Sequence, residues 1–125
     1  MFVNKHVVNV TTAADGSAEV YTEKILNGPI LKILYAEAAS GGFVDGVDFS
    51  ITTETTGQTV WSENDVNASK NICPREAVQD SAGADVTFDG TNEIYDYIYA
   101  CNERLKIVIA DGGDTKTGTF TILEG

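Results

Sequence analysis

The chain has 125 residues, 42% of them apolar, and a formal net charge of −11 with a sequence pI near 4.2. This length fits one domain with a modest two-layer core. The negative charge excludes nucleic acid as an expected partner, because phosphates would be repelled. It suits a protein that stays soluble at high concentration or docks on a basic surface, and simple solvation explains it equally well.

Two further observations bear on where the protein acts. No segment approaches the roughly 20 apolar residues that a membrane-spanning helix needs, so we expect no membrane partner. Residues 1–12 lack the basic leader, apolar run and cleavage site of a signal peptide. We therefore expect synthesis in the cytoplasm, where Cys73 and Cys101 would more often stay reduced than form a disulfide.

The N-terminal region predicts a long β-hairpin. Residues 3–12 are rich in Val and Thr and predict a strand that is apolar on both faces, or an N-terminal arm over 1–12. The segment 13–17 contains Asp-Gly and predicts a turn. Residues 19–25 are predicted as the return strand.

The middle of the chain predicts a central strand followed by a second hairpin. Residues 30–36 are the most apolar run in the first half, so we place them inside the sheet. Alternation over 47–52 and the run 59–61 flank a Thr-Thr-Gly-Gln turn, which indicates a hairpin with one polar face. Residues 62–68 are polar and turn-rich, with a weak signal for one helical turn.

The next segments carry weaker signals. Residues 71–75 predict a short edge strand, because the proline within them cannot donate to a ladder. Residues 79–90 are predicted to be mainly a surface loop. The run 93–101 matches both a helical and a strand template, and we assign it as a strand because its Tyr and Ile content and its neighbours favour β structure.

The C-terminal run predicts a final hairpin. Leu105, Ile107 and Ile109 alternate with partly polar residues, as do Phe120 and Ile122 further on. The Asp-Gly-Gly-Asp segment between them tolerates positive φ and is interpreted as the reversal. The whole pattern predicts one all-β domain over residues 1–125, a β-sandwich of jelly-roll or Greek-key type with six to eight short strands, or else a small barrel.

The sequence contains no motif typical of an enzyme. His6 is the only histidine, and it has no nearby cysteine that would suggest a metal site. Asp111 and Asp114 are the best candidates for a calcium site, but their spacing is also ordinary turn chemistry. A single tryptophan, Trp61, is more often core than a sugar platform. We therefore expect a non-enzymatic protein with no cofactor and no metal.

Four stretches carry a resemblance to a known class of protein: LNGPILKILY, DGVDFSITTETTGQTVW, NERLKIVIADGG and KTGTFTILEG. They resemble small virion structural proteins of tailed bacteriophages. The resemblance implies a capsid decoration (cement) protein in the virion, present in many copies or as a homo-oligomer, that binds the major capsid protein. A head–tail or tail-ring component is the first alternative, and a carbohydrate-binding β-sandwich module is the second.

The interface hypothesis begins with the N-terminal strand. Alternation places Phe2, Val8 and Val10 on one face. Val3 and Val7 fall on the other face. An edge strand that is apolar on both faces needs cover, which another chain can supply. We therefore expect these residues to carry assembly onto the capsid or onto sister copies, and we expect a chain without residues 2–10 to fold.

A second candidate contact is a row of tyrosines. Alternation would place Tyr95, Tyr97 and Tyr99 on one face of the strand predicted over 93–101. Tyrosine contributes both area and a hydrogen-bonding hydroxyl at protein interfaces. The alternative is that the tyrosines line the core.

Overall fold

The computed structural model describes residues 2–125 and is all-β, as predicted. Two antiparallel sheets form a β-sandwich, and among the described residues no helix is present that could cross a membrane. Residues 2–125 form ten strands rather than six to eight. They are β1 (Asn4–Thr11), β2 (Ala18–Tyr21), β3 (Leu26–Glu37), β4 (Val47–Thr53), β5 (Thr59–Val66), β6 (Lys70–Ile72), β7 (Arg75–Ala77), β8 (Tyr95–Glu103), β9 (Leu105–Ala110) and β10 (Thr117–Glu124).

The larger sheet has six strands in the order β1-β10-β3-β8-β7, with β6 also paired to β3. The smaller sheet has the order β2-β9-β4-β5. The strand predicted over 30–36 lies inside the larger sheet, because β3 pairs with β10 on one side and with β8 and β6 on the other. That prediction is confirmed.

The core lies between the two sheets and follows the period-2 pattern of the strands. In β9, Leu105, Ile107 and Ile109 are buried, and in β10 Phe120 and Ile122 are fully enclosed. Aromatic rings fill the centre, where the ring centroids of neighbouring side chains lie 4.7 to 6.3 Å apart. The rings are those of Tyr35, Phe43, Phe49, Trp61 and Phe120.

The predicted C-terminal hairpin is wrong. Both strands exist, but β9 belongs to the smaller sheet and β10 to the larger one. The connecting segment is bound to two other loops: Gly112 N–H donates to the Gly16 carbonyl at 2.9 Å, and Val44 N–H donates to the Gly112 carbonyl at 3.1 Å. The Thr12 hydroxyl also donates to the Gly113 carbonyl at 2.6 Å. These contacts carry the chain across the sandwich instead of reversing it within one sheet.

The predicted N-terminal hairpin is also wrong, although its turn is correct. Ala13 N–H donates to the Ser17 carbonyl at 2.8 Å, which closes the turn over residues 13–17. The strands on either side then separate, since β1 pairs with β10 and β2 pairs with β9. β2 is only four residues long, so the predicted return strand over 19–25 is too long.

The second hairpin is confirmed, and it is longer than predicted. β4 and β5 pair directly, and β5 continues through residues 62–66, which the sequence predicted as turn or helix. The buried carboxylate of Glu103 fixes the turn: Thr56 N–H and Thr55 N–H donate to its Oε1 at 3.1 and 2.8 Å. These donors hold the pKa of Glu103 below its usual value.

The strand assignment for 93–101 is confirmed in type, since β8 begins at Tyr95. The short strand predicted over 71–75 is divided: β6 ends at Ile72, Pro74 follows, and β7 begins at Arg75. The proline lacks the N–H that a continuous ladder would need, which explains the interruption.

The surface loop predicted over 79–90 is mostly exposed but has a regular backbone. Val78, Val86 and Ile94 form a ring of hydrogen bonds in which each N–H donates to the carbonyl of another: Val78 to Ile94 at 2.8 Å, Val86 to Val78 at 2.8 Å and Ile94 to Val86 at 3.2 Å. The three residues are spaced eight apart, so the ring closes two successive eight-residue loops, 78–85 and 86–93.

Candidate functional site

The described residues contain no group of three or more His, Cys, Asp or Glu side chains that could hold a metal ion. The two aspartates singled out from sequence, Asp111 and Asp114, are both exposed on the segment that crosses from β9 to β10. Asp111 has a φ of 58°, as its place in a turn requires, and Asp114 accepts a hydrogen bond from the Thr115 hydroxyl at 2.7 Å. The structure brings no third carboxylate to them.

The only histidine is part of a buried pair that joins the two ends of the described chain. His6 Nε2 lies 2.8 Å from Glu124 Oε1, and the two side chains are 8% and 4% exposed. The second carboxylate oxygen of Glu124 accepts a hydrogen bond from Asn27 N–H at 2.8 Å. The pair therefore fixes β1, β10 and the start of β3 to one another.

The cysteines lie on the surface. Cys73 and Cys101 are both exposed and both are free thiols. Trp61, by contrast, is a core residue, since it is only 6% exposed and packs against Phe49 and Phe120.

The interface candidates on β1 divide between the two faces of the strand. Val8 and Val10 are core residues, 8% and 1% exposed, and cannot contact a partner. Val3 and Val7 point outward and are 52% and 51% exposed. Phe2, which precedes the strand, is 95% exposed. Three of the five predicted contact residues are therefore available on the surface.

A cleft of about 270 Å³ lies beside the outer edge of β1. It is lined by Lys5, His6, Val7, Glu23 and Lys24, and we refer to it as the N-terminal cleft. Among residues 2–125, neither of its lysines takes part in an ion pair. The cleft thus carries two lysines and one lining carboxylate, Glu23, with the Glu124 carboxylate 2.8 Å from His6.

The tyrosine row lies on the outer face of β8. This strand is near the edge of the larger sheet that is farthest from β1. Tyr95 and Tyr99 are 63% and 48% exposed, so they do not line the core. Tyr97 is partly covered, because the guanidinium of Arg75 stacks over its ring at 4.2 Å from the centroid. The row is a fixed aromatic surface.

A second cleft, of about 280 Å³, adjoins this row. Glu76 on β7 lies directly opposite Asp96 on β8 in the ladder, and Gln58 Nε2 donates a hydrogen bond to Glu76 Oε2. Like charges in directly opposed positions destabilise a sheet. We refer to this site as the acidic cleft; it is lined by Glu76, Ala77, Val78, Gln79, Asp96, Tyr97 and Tyr99.

The two eight-residue loops extend this acidic region. Residues 76–96, which we call the acidic arm, contain six carboxylates and no lysine or arginine. Phe88 is 69% exposed within the second loop, and Ile94 is 41% exposed. The arm therefore combines a single sign of charge with large exposed apolar side chains.

Side-chain capping holds the loops of the arm in place. Asp89 Oδ1 accepts hydrogen bonds from Asn92 N–H at 2.6 Å and Thr91 N–H at 2.9 Å, and these donors lower the pKa of its carboxyl group. Asp80 Oδ1 does the same in the first loop for Ala82 N–H and Ala84 N–H, at 2.8 and 3.0 Å. The exposed side chains thus stand on an ordered backbone.

The sequence indicated the tyrosine row but not the acidic arm beside it. The available signal was the recurrence of Val78, Val86 and Ile94 at intervals of eight residues, with an aspartate early in each interval. That pattern is a weak predictor of structure. The ring is made by backbone hydrogen bonds, so it does not require the alternation of apolar side chains that marks a strand.

Comparison with known proteins adds little. No protein-family model matches the sequence, and no curated protein matches it. Among solved structures, the crystal structure of FlhE covers 98% of this chain and 96% of its own, with a TM-score of 0.46 and 6% sequence identity. No functional conclusion follows from a likeness at this level.

Proposed function

We propose that this protein is a non-enzymatic structural protein of a bacteriophage virion, a decoration protein that binds the capsid shell and stabilises it. The virion assignment rests on the resemblance of four stretches of the sequence to phage virion structural proteins. The geometry supports the more general part of the proposal, assembly through a protein surface. The observation that carries it is the outer edge of β1.

The edges of the two sheets differ in how well they are protected. β6 and β7 are three residues long, and β2 is four. β5 is longer, but its pairing with β4 is irregular at two points and Asp65 has a φ of 60°. Short length and irregularity both discourage pairing with another chain.

β1 has neither form of protection. It is eight residues long, and its pairing with β10 runs without a register shift from Asn4 to Thr11. On its outer side β1 has no strand partner within residues 2–125, and Val3 and Val7 are exposed beside it, with Lys5 as the one charged side chain between them. A regular edge with exposed apolar side chains is the kind of surface to which another chain adds a strand.

The structure changes how this proposal should be tested. Removal of residues 2–10 would take Val8 and Val10 out of the core and would separate His6 from Glu124, so the truncated chain is expected to unfold. A truncated chain therefore cannot separate loss of the interface from loss of the fold. A double substitution, Val3→Asp with Val7→Asp, alters only outward-facing side chains.

The particle test combines this variant with imaging. Immunogold labelling of purified virions of the phage that encodes the chain should show label spread over the shell. V3D/V7D should lower the number of copies per particle, whereas Asn9→Asp, which changes an exposed side chain of the same strand, should not. Absence of the protein from virions would refute the proposal.

A tail-ring component is the second candidate. A ring needs two contact sites per subunit, and the larger sheet has two outermost strands, β1 and β7, that could provide them. Label confined to the tail axis would favour it over decoration of the shell.

A further inference from the structure

We propose that copies of this chain associate head to tail, with the acidic cleft and arm of one copy bound to the N-terminal cleft and β1 edge of the next. The inference rests on the proposed function, since it names a second copy as the partner at the β1 edge. It is carried by the positions, charges and exposed apolar side chains of two separate surfaces.

The two surfaces lie at opposite edges of one sheet. In the order β1-β10-β3-β8-β7, β1 and β7 are the outermost strands. Because every neighbouring pair along this path is antiparallel, β1 and β7 point in the same direction. A contact between the β7 side of one copy and the β1 side of the next joins two different surfaces, so it is heterologous and leaves the other edge of each copy free. It is made by the side chains of the acidic cleft and arm, since β7 is too short to add a strand. Such a contact repeats, and it either closes into a ring or continues as a filament.

The charges of the two surfaces are complementary. The acidic arm has six carboxylates and no basic side chain, and two of the carboxylates, Glu76 and Asp96, line its cleft. The N-terminal cleft offers Lys5 and Lys24 against one acid, Glu23. A lysine placed near the carboxylates of the acidic cleft would meet charge of the opposite sign, which gives the contact a favourable electrostatic contribution.

The exposed apolar residues are concentrated at the same two places. Ten large apolar side chains are exposed among the described residues, and eight of them lie at or next to these two surfaces. Four belong to the N-terminal side and four to the arm side: Phe2, Val3, Val7 and Ile25, and then Phe88, Ile94, Tyr95 and Tyr99. Aromatic anchors within a charged rim are typical of protein interfaces.

A symmetric contact fits these surfaces less well. Two acidic arms placed face to face would set six carboxylates against six, and the neighbouring Arg75 is engaged with the Tyr97 ring. Two β1 edges placed together would bring lysines near lysines. The head-to-tail arrangement is the one in which each surface meets its opposite charge, despite a net charge of −11 on every copy.

The test uses charge reversal on each surface, followed by sedimentation velocity on the purified full-length protein over a range of concentrations. Lys5→Glu with Lys24→Glu reverses the N-terminal cleft, and Glu76→Lys with Asp96→Lys reverses the acidic cleft. Wild-type protein should associate as its concentration rises. Each double variant alone should associate at least about tenfold more weakly than wild type, because each then presents two surfaces of the same sign.

The decisive sample is an equal mixture of the two double variants. In the mixture, the N-terminal cleft of K5E/K24E is now acidic and matches the acidic cleft of E76K/D96K, which is now basic. The unchanged surfaces of the two variants also match each other, so the mixture should regain association. Asp45→Lys with Asp114→Lys is the control, since it alters exposed residues elsewhere and changes the net charge by the same amount as E76K/D96K. This control should associate at least as well as wild type.

Three results would overturn the inference: wild-type protein that stays monomeric at every concentration, double variants that associate as well as wild type, or a mixture that fails to recover although both variants show a native sheet spectrum. If the lysine variant does not fold, Glu76→Gln with Asp96→Asn removes the charges without reversing them and should still weaken association. Self-association in solution and presence in virions are separate measurements, so a failure of the head-to-tail contact can be told apart from a failure of the virion assignment.

Discussion

The sandwich and the acidic arm are ordered by different means. In the sandwich, Phe49 and Phe120 are at most 1% exposed and pack edge to face with ring centroids 5.0 Å apart. In residues 75–97 no side chain is buried, and the backbone is held by the Val78–Val86–Ile94 ring and by aspartate caps. The acidic arm thus presents a defined surface without a core beneath it. The arm's side chains are therefore free to serve binding rather than packing.

The largest expected effect separates the two regions directly. Phe120→Ala removes a fully buried ring from the aromatic cluster and should lower the free energy of unfolding by about 3–5 kcal/mol. Phe88→Ala removes a ring that is 69% exposed and should change it by less than about 0.5 kcal/mol. Urea denaturation of both variants measures the difference. Similar losses for the two would mean that the arm also depends on side-chain packing.

A smaller effect tests how tightly the core is filled. A Cβ added at Gly118 would lie 2.6 Å from Cε2 of Phe43 and 3.0 Å from Cε1 of Tyr35. Gly118→Ala should therefore cost about 1–3 kcal/mol of stability, because the core must shift to admit the methyl group. Adding Phe43→Leu should recover part of that loss in a double-mutant cycle. Additive losses would show that the steric conflict lies elsewhere.

A third prediction concerns the pH dependence of the sandwich. The pKa of Glu103 is lower in the folded protein, mainly because Thr56 N–H donates to its carboxylate, so this group stabilises the fold above its usual pKa of 4.5. That stability is lost as the pH falls through the lowered value. The melting temperature of Glu103→Gln should be below that of wild type at pH 7, and the gap should narrow as the pH falls below 4.5.

The control for this prediction lies in the arm. Glu93→Gln changes a carboxylate that makes no hydrogen bond within the described residues, so its melting temperature should follow that of wild type across the same pH range. A gap for Glu103→Gln that stays constant with pH would contradict the assigned role of the Glu103 charge.

The smallest global effect is expected within the arm. Asp89→Ala removes the side chain that accepts from Asn92 N–H and Thr91 N–H, so hydrogen exchange over residues 86–94 should become faster. The melting temperature should change little, because no core residue is affected. Asp45→Ala, at an exposed site outside the arm, should alter neither quantity. A large drop in melting temperature for Asp89→Ala would show that the arm and the sandwich unfold together.

The sequence predicted which side of each strand faces the core better than it predicted the partners of each strand. Alternation correctly predicted that Ile107 and Phe120 are buried, yet their strands lie in different sheets. The reason is that both sheets of a sandwich present the same inward pattern to the same core. The β4–β5 hairpin was predictable because its turn is short and Gly57, with a φ of 73°, permits the reversal.

The same limit applies to the candidate surfaces. The sequence indicated Val3, Val7 and the tyrosine row, but alternation alone could not decide which face of β1 was the inner one. The pairing of Glu76 with Asp96 depends on the register of two strands that are separated by the whole arm. Such a long-range register leaves no local trace in the sequence.

The way the chain alternates between sheets has a consequence for how fast it folds. Consecutive strands change sheet at β1–β2, β2–β3, β3–β4, β5–β6, β8–β9 and β9–β10. Only β4–β5 and β7–β8 pair with their neighbours in sequence, while β1 must find β10 across more than a hundred residues. Non-local pairing requires loop closure before contacts form, so refolding is expected on a timescale of roughly milliseconds to seconds. We therefore expect the locally paired β4–β5 hairpin to form early and the long-range β1–β10 pairing to form late.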